Sequence, residues 1–86
     1  MYKIGYKPKF IRQYKKLPKD LQDEVKEKIE LLGKDPKHSF LKTHKLNGEL
    51  KNYWASSVNF AFRLVFKFKD KKEIVLYGVG DHDVYK

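Results

Sequence analysis

Residues 60–68 read Phe-Ala-Phe-Arg-Leu-Val-Phe-Lys-Phe, so large apolar side chains alternate with smaller or charged ones. A period of two is typical of a β-strand, in which successive side chains point to opposite faces of a sheet. The first face would carry Phe60, Phe62, Leu64, Phe66 and Phe68, and the second would carry Ala61, Arg63, Val65 and Lys67. The stretch therefore predicts a central strand with one buried face, and a second face that looks outward or into a groove.

The residues on either side of this strand extend the sheet. The period changes to two at His44, and residues 50–58 form a strand candidate that Asn59 separates from the central strand. Beyond it, residues 70–72 read Asp-Lys-Lys and predict a hairpin turn, and residues 73–79 predict the last strand.

The N-terminal half predicts one strand and two helices. Residues 2–7 alternate well enough for a short strand. Pro8 fits the first turn of a helix, where its missing N–H costs nothing, and apolar residues follow it at helical spacing. Pro18 begins a second amphipathic helix, for which Gly33 is a plausible C′ residue. Residues 34–43 read as a basic loop.

The predicted order is β-α-α-β-β-β, with an N-terminal strand, a helical hairpin and a three-stranded antiparallel meander. Such an order gives an α+β fold in which the helices cover one face of a mainly antiparallel sheet. The chain has 86 residues, which is room for a single domain over residues 1–86.

Charge narrows the classes of partner. The chain carries 20 Lys and Arg against 11 Asp and Glu, for a net charge of +9. This excess suggests nucleic acid, an anionic membrane or an acidic protein, with solubility as the plainer explanation. Residues 20–33 are acidic, so a polyanion would dock elsewhere.

Composition also bears on the compartment. Without cysteine there is neither a disulfide nor a thiolate metal site. The sequence shows no signal-peptide core and no apolar run of the ~20 residues needed to span a bilayer. We expect a cytoplasmic protein that does not enter the membrane.

Arg63 interrupts a strand that otherwise reads as buried. An arginine there is unfavourable unless its guanidinium meets water, a carboxylate or another anion. It is therefore either a solvated or ion-paired residue, or a phosphate clamp, since the planar guanidinium matches phosphate oxygens.

Two histidines are candidates for proton transfer. His82 lies between Asp81 and Asp83, and flanking carboxylates favour the protonated form that suits a general acid. His44 begins a basic stretch at the start of the sheet. On position alone, each is better explained as a surface histidine. The histidines do not have the spacing of metal ligands, so no metal or other cofactor is expected.

Aromatic and basic residues are interleaved in the second half of the chain, which is typical of surfaces that stack unpaired bases. The residues concerned are Tyr53, Trp54, Tyr77 and Tyr85, with Lys51, Lys67 and Lys69. Of these, Trp54 is better explained as a core residue.

Three short motifs, in this order on this scaffold, resemble the RelE/ParE toxin superfamily. Residues 44–48, His-Lys-Leu-Asn-Gly, are similar to the His-x-Leu-x-Gly start of the sheet in YafQ-like toxins. Residues 62–66, Phe-Arg-Leu-Val-Phe, resemble the arginine strand of RelE and YoeB. Residues 80–85, Gly-Asp-His-Asp-Val-Tyr, are similar to the Gly-x-His ending of YafQ-like members.

The resemblance implies the toxin of a type II toxin–antitoxin pair, which cleaves mRNA in the ribosomal A site without a metal. Arg63 would stabilise the charged phosphorane, His82 would be the general acid and Tyr85 would stack on a base. His44 would be the general base or position the nucleophile. The RNA backbone would be held by Lys42, Lys45, Lys51 and Lys67. The resemblance further implies a cognate antitoxin as protein partner.

The sequence departs from YafQ-like members at two positions. Ser57 and Ala61 align with their second histidine and an aspartate, which leaves Lys51 or Lys67 as alternative general bases. Two other functions remain open: a noncatalytic ParE-like toxin that binds gyrase, and a basic nucleic-acid-binding module. Since a shared fold does not fix function, the choice among these functions must be argued from the residues of the site.

Overall fold

The computed structural model describes residues 1–81 and confirms the α+β class. Its elements are β1 (Lys3–Tyr6), α1 (Pro8–Lys15), α2 (Lys19–Lys34), β2 (His44–Lys45), β3 (Trp54–Ser57), β4 (Arg63–Phe68) and β5 (Glu73–Gly80). Single 3₁₀ turns lie at Ser39–Leu41 and Gly48–Leu50. Within residues 1–81, neither helix has the length and apolar composition that crossing a membrane requires.

The five strands form one mixed sheet in the order β1-β5-β4-β3-β2. β1 pairs with β5 in parallel, and all other neighbours are antiparallel. The first and last strands within residues 1–81 are thus neighbours. The sheet contains one strand more than the predicted order, because residues 44–45 pair with β3 at the far edge.

The predicted strand over residues 50–58 is shorter than expected. Gly48 has a φ of +67°, a value that favours glycine, and it begins a 3₁₀ turn in which the Lys51 N–H donates to the Gly48 carbonyl at 3.1 Å. A second turn follows, in which the Tyr53 N–H donates to the Leu50 carbonyl at 2.8 Å. The strand therefore starts only at Trp54.

Helix α2 runs past Gly33, so the prediction that Gly33 is the C′ residue is wrong. The Asp35 N–H still donates to the Leu31 carbonyl at 2.8 Å, and Asp35 is the capping residue. Gly33 instead lies against the start of β1, where the Tyr2 N–H donates to its carbonyl at 2.7 Å.

At the start of α2, the Lys19 ammonium donates to the Asp23 carboxylate at 2.8 Å. This hydrogen bond lowers the pKa of the exposed Asp23 carboxyl and raises the pKa of Lys19. The contact lies on the solvent side of the helix, away from the sheet.

The core lies between the two helices and one face of the sheet. Its fully buried members include Leu64 and Phe66 from β4, Leu76 from β5 and Leu32 from α2. The predicted apolar row is confirmed from residue 62 to residue 68, with Phe62 and Phe68 partly buried against this core.

Phe60 does not belong to that row, since its side chain is 97% exposed. Residues 58–62 form a turn rather than the beginning of the strand. The Val58 N–H donates to the Phe62 carbonyl at 2.9 Å, and the Asn59 Oδ1 accepts from the N–H groups of Ala61 and Phe62, each at 2.9 Å. The turn breaks the period of two and points Phe60 into solvent.

A β-bulge in β5 shifts which of its residues point to the core and which to the open face. Val65 pairs with Gly78 and Phe66 pairs with Leu76, so Tyr77 is an extra residue on β5. As a result, Leu76 and Val79 are both buried in the core although three positions separate them. The bulge leaves Tyr77 on the open face of the sheet.

Phe66→Ala and Phe60→Ala each remove a phenylalanine side chain from the alternating row predicted over residues 60–68. We expect Phe66→Ala to lower the free energy of unfolding by about 3–5 kcal/mol, because it empties a filled site in the core. Phe60→Ala should change it by less than about 0.5 kcal/mol. Urea unfolding followed by circular dichroism measures both, and equal losses would show that the turn at residues 58–62 is wrongly placed.

Candidate active site

The face of the sheet opposite the helices has a floor of small residues. The register places Ala55, Val65 and Gly78 side by side across β3, β4 and β5, and Ala55 and Val65 are buried. Larger polar and aromatic side chains surround this floor. Because these three residues are smaller than Arg63 and Lys67 on the same face, we call this strip of the open face the depression.

Arg63 lies at one end of the depression, at the first residue of β4. Ser57 is its partner on β3 and Gly80 its partner on β5. Its Nη1 donates to three backbone carbonyls of the preceding turn, those of Asn59 (2.9 Å), Phe60 (3.2 Å) and Phe62 (3.1 Å). These bonds go to neutral carbonyls, so they orient the guanidinium without neutralising its charge.

The orientation of Arg63 depends on Asn59. Asn59 supplies one of the three carbonyls, and its side chain closes the turn and donates from Nδ2 to the Glu24 carboxylate on α2 at 2.9 Å. The sequence alone predicts only that Asn59 marks a turn or the start of a strand. An asparagine between two apolar runs is a known turn signal, but its link to α2 requires the tertiary structure.

At the other end of the depression, Lys67 contacts two aromatic residues, Tyr53 and Tyr77. Its Nζ lies 4.7 Å from the ring centroid of Tyr53 and 5.7 Å from that of Tyr77, within the range of cation–π contact. The two rings meet edge to face at 4.9 Å. Of the predicted aromatic and basic residues, Tyr53, Tyr77 and Lys67 thus come together, while Lys51 is exposed in the turn before β3.

Trp54 lies on the helix side of the sheet, which agrees with the prediction that it is a core residue. It pairs with Phe66 in the register, and its ring meets Phe68 edge to face at 5.4 Å. It is partly buried against the core. Trp54 is therefore separated from the open face by the sheet itself.

His44 lies on the open face at the edge strand, beside Ala55. Its Nδ1 is 3.0 Å from the Lys42 carbonyl, and because a carbonyl only accepts, the Nδ1 must carry the proton. Nε2 of the neutral ring is then the acceptor. Lys42 presents this carbonyl from a left-handed conformation with φ of 49°.

His44 and Arg63 are not adjacent. β3 lies between their strands, and the register offsets them by two residues, so their backbones are roughly 12 Å apart. Lys45, the next residue, alternates to the helix side of β2, where it pairs with Trp54.

His82 and Tyr85 lie outside the described residues. The described chain ends at Asp81, one residue beyond Gly80, the strand partner of Arg63. Of the two departures noted above, Ser57 lies directly opposite Arg63, and Ala61 is exposed in the turn. Among residues 1–81, no three His, Asp or Glu side chains are grouped as metal ligands.

Asn59→Ala should lower the free energy of unfolding by about 1–3 kcal/mol, because it removes the bonds that close the turn. Asn59→Asp keeps the acceptor oxygen but sets a second carboxylate against Glu24. The pair Asn59→Asp with Glu24→Gln should therefore be more stable than Asn59→Asp alone in urea unfolding at neutral pH. Equal stability of these two variants would show that residues 24 and 59 are not in contact.

Neither a protein-family model nor a curated protein matches the chain by sequence. Its structure, however, is similar to YafQ from E. coli BL21(DE3), with a TM-score of 0.81 and 21% identity over 99% of this chain and 98% of YafQ.

Two further toxin structures are similar at comparable levels. A chain of the toxin–antitoxin complex RelBE2 from Mycobacterium tuberculosis matches with a TM-score of 0.80 and 20% identity over 94% of this chain and 98% of that one. YoeB from Staphylococcus aureus, solved as a dimer, matches with a TM-score of 0.76 and 21% identity over 94% and 97%. The chain thus has the fold of the RelE/YoeB/YafQ-like toxins, as its sequence motifs indicated.

Proposed function

We propose that this chain is the toxin of a type II toxin–antitoxin pair, and that it cleaves mRNA in the ribosomal A site without a metal. The observation that carries the proposal is Arg63, whose charged guanidinium is fixed by its own turn at the end of the depression. The fold shared with YafQ, YoeB and the RelBE2 complex supports it.

In the proposed reaction, the ribose 2′-oxygen attacks the adjacent phosphorus while the bond from phosphorus to the 5′-oxygen breaks. The products are a 2′,3′-cyclic phosphate and a 5′-hydroxyl end. Negative charge builds on the phosphorane oxygens in the transition state. Arg63 stabilises that charge through Nε–H and Nη2, since its bonds to the turn all come from Nη1.

The reaction needs one proton acceptor and one proton donor. His44 Nε2 takes the proton of the 2′-hydroxyl, because Nδ1 is occupied by the Lys42 carbonyl. His82, which follows the strand partner of Arg63 by two residues, donates a proton to the leaving 5′-oxygen. Lys51 and Lys67 are the alternative bases, although the position of Lys67 four residues from Arg63 along β4 suits RNA binding better than proton transfer at the same phosphate.

Binding uses the other end of the depression. Lys67 lies four residues from Arg63 along β4, a distance of roughly 13 Å, so the two cations contact different phosphates. Tyr53 and Tyr77 offer ring edges and faces to an unstacked base next to Lys67. Tyr85 stacks on or orients a base near the cleaved bond, and Lys42 and Lys51 hold the backbone. Lys45 was predicted to do the same, but its position on the helix side of β2 points it away from RNA on the open face.

Arg63→Ala should slow mRNA cleavage on translating ribosomes by about 10²–10³-fold, because it removes a preorganised donor to the transition state. Arg63→Lys should recover part of the rate, since it restores the charge but not the planar guanidinium. Lys71→Ala, in the hairpin turn, is the matched control and should cleave normally. Rates come from quenched time courses, and the RNA ends are identified by phosphatase and kinase treatment.

Full activity of the double variant Arg63→Ala, His82→Ala would remove both residues from the mechanism. Gyrase inhibition that survives this double substitution would support the ParE-like function instead. Salt-sensitive RNA binding by the unmodified chain without any cleavage would support the basic binding module.

We also propose a cognate antitoxin, acting with this chain in the cytoplasm where translating ribosomes are found. Two similar structures are toxin–antitoxin complexes, RelBE2 and YoeB–YefM, and the net charge of +9 favours an acidic or amphipathic partner segment. A small protein encoded beside this chain should co-purify with it and relieve growth arrest on co-expression. Arrest that no neighbouring product relieves would contradict the pairing.

A further inference from the structure

A second cleft lies on the other side of the turn that holds Arg63. It is enclosed by α2, the 3₁₀ turn at Ser39–Leu41 and the turn at residues 58–62, with a volume of about 640 Å³. Arg63 lines one wall of it. Ser57, the strand partner of Arg63, also lines the cleft, so the cleft adjoins the proposed cleavage site, and α2 forms its opposite wall.

Three cations line this cleft. Lys28 comes from α2, Lys42 from the end of the 3₁₀ turn, and Arg63 from β4. Among the described residues that line the cleft, the single carboxylate is Glu24, which already accepts a hydrogen bond from Asn59. Positive charge thus dominates, although the same stretch of α2 is acidic in sequence.

Two exposed aromatic rings stand at the same cleft. Phe60 is 97% exposed and Phe40 is 70% exposed. Both are held by rigid backbone, Phe60 by the turn that Asn59 closes, and Phe40 by its N–H bond to His38 Nδ1 at 3.1 Å. Because both rings line one cleft, they are not isolated surface residues, and apolar groups clustered at a cleft typically mark contact with a ligand.

Flat apolar rings beside clustered cations match a nucleotide, which has an aromatic base and an anionic phosphate. We propose that this cleft binds a nucleotide of single-stranded RNA flanking the cleaved bond, with its phosphate at Lys28 and Lys42 and its base against Phe60. The inference rests on the proposed function for the identity of the RNA. Arg63 borders both the depression and the cleft, so the RNA strand can pass over the turn from the open face into the cleft.

The test is the affinity of the full chain for a fluorescein-labelled 2′-O-methyl oligouridine 12-mer, which lacks the attacking hydroxyl and stays intact. Phe60→Ala should weaken binding by roughly 5- to 100-fold, the range observed when one base loses its aromatic partner. Lys28→Gln and Lys42→Gln should weaken binding and reduce its salt dependence. Ile11→Ala and Lys71→Gln, which remove an exposed apolar group and a lysine away from the cleft, should bind normally.

Photocrosslinking of the same oligomer carrying one 4-thiouridine should place the crosslink at Phe60 or Phe40. Binding by Phe60→Ala within twofold of the unmodified chain, or no binding by the unmodified chain, would overturn the cleft assignment. The assignment would also be overturned if Phe60→Ala lost its affinity for the antitoxin while its affinity for RNA stayed unchanged, since the cleft would then bind a protein partner.

Cleavage assays with the same proteins separate the two proposals. If the unmodified chain does not cleave mRNA but Phe60→Ala weakens its RNA binding, the nuclease activity is refuted. The proposal that the cleft binds RNA then still holds. A chain that cleaves, but whose Phe60→Ala variant binds normally, would refute the cleft alone.

Discussion

The turn at residues 58–62 is the constraint on which the site depends. Asn59 closes it with its side chain, ties it to α2 through Glu24, and offers its carbonyl to the Arg63 guanidinium. Because three carbonyls of one turn accept from Nη1, the side chain loses rotational freedom before any ligand binds. A charge held in place in this way costs no reorganisation when it meets a developing anion, which is the condition for strong electrostatic stabilisation.

The same turn separates two surfaces that use different chemistry. On the open face, the depression is floored by small residues and bordered by Lys67 with its two tyrosines. On the helix side, the cleft joins cations from three elements to the exposed rings of Phe40 and Phe60. Arg63 touches both surfaces, so a strand of RNA crossing the turn would meet it midway. The β-bulge at Tyr77 serves this arrangement, since it points one aromatic ring outward while keeping Val79 in the core.

Much of the fold was predictable because its signals are local. Proline positions and helical spacing indicated α1 and α2, and the period of two indicated β4 and β5. The predictions went wrong where a local pattern had two solutions. Phe60 continues the alternation of β4 but belongs to a turn, since hydrogen bonds of Asn59 outweigh the preference for a longer strand. Gly33 reads as a helix stop, yet it continues α2 because β1 packs against it.

By itself, the sequence determined the order of both helices and four of the five described strands, the buried face of β4 and the position of Arg63 on the opposite face. These follow from periodicities that span fewer than about ten residues. Only the tertiary structure decided that β1 pairs with β5, that Gly80 lies opposite Arg63, and that Lys28 and Lys42 share a cleft. Such pairings join residues far apart in the chain, and they are selected by the packing of the whole core, which no single segment encodes.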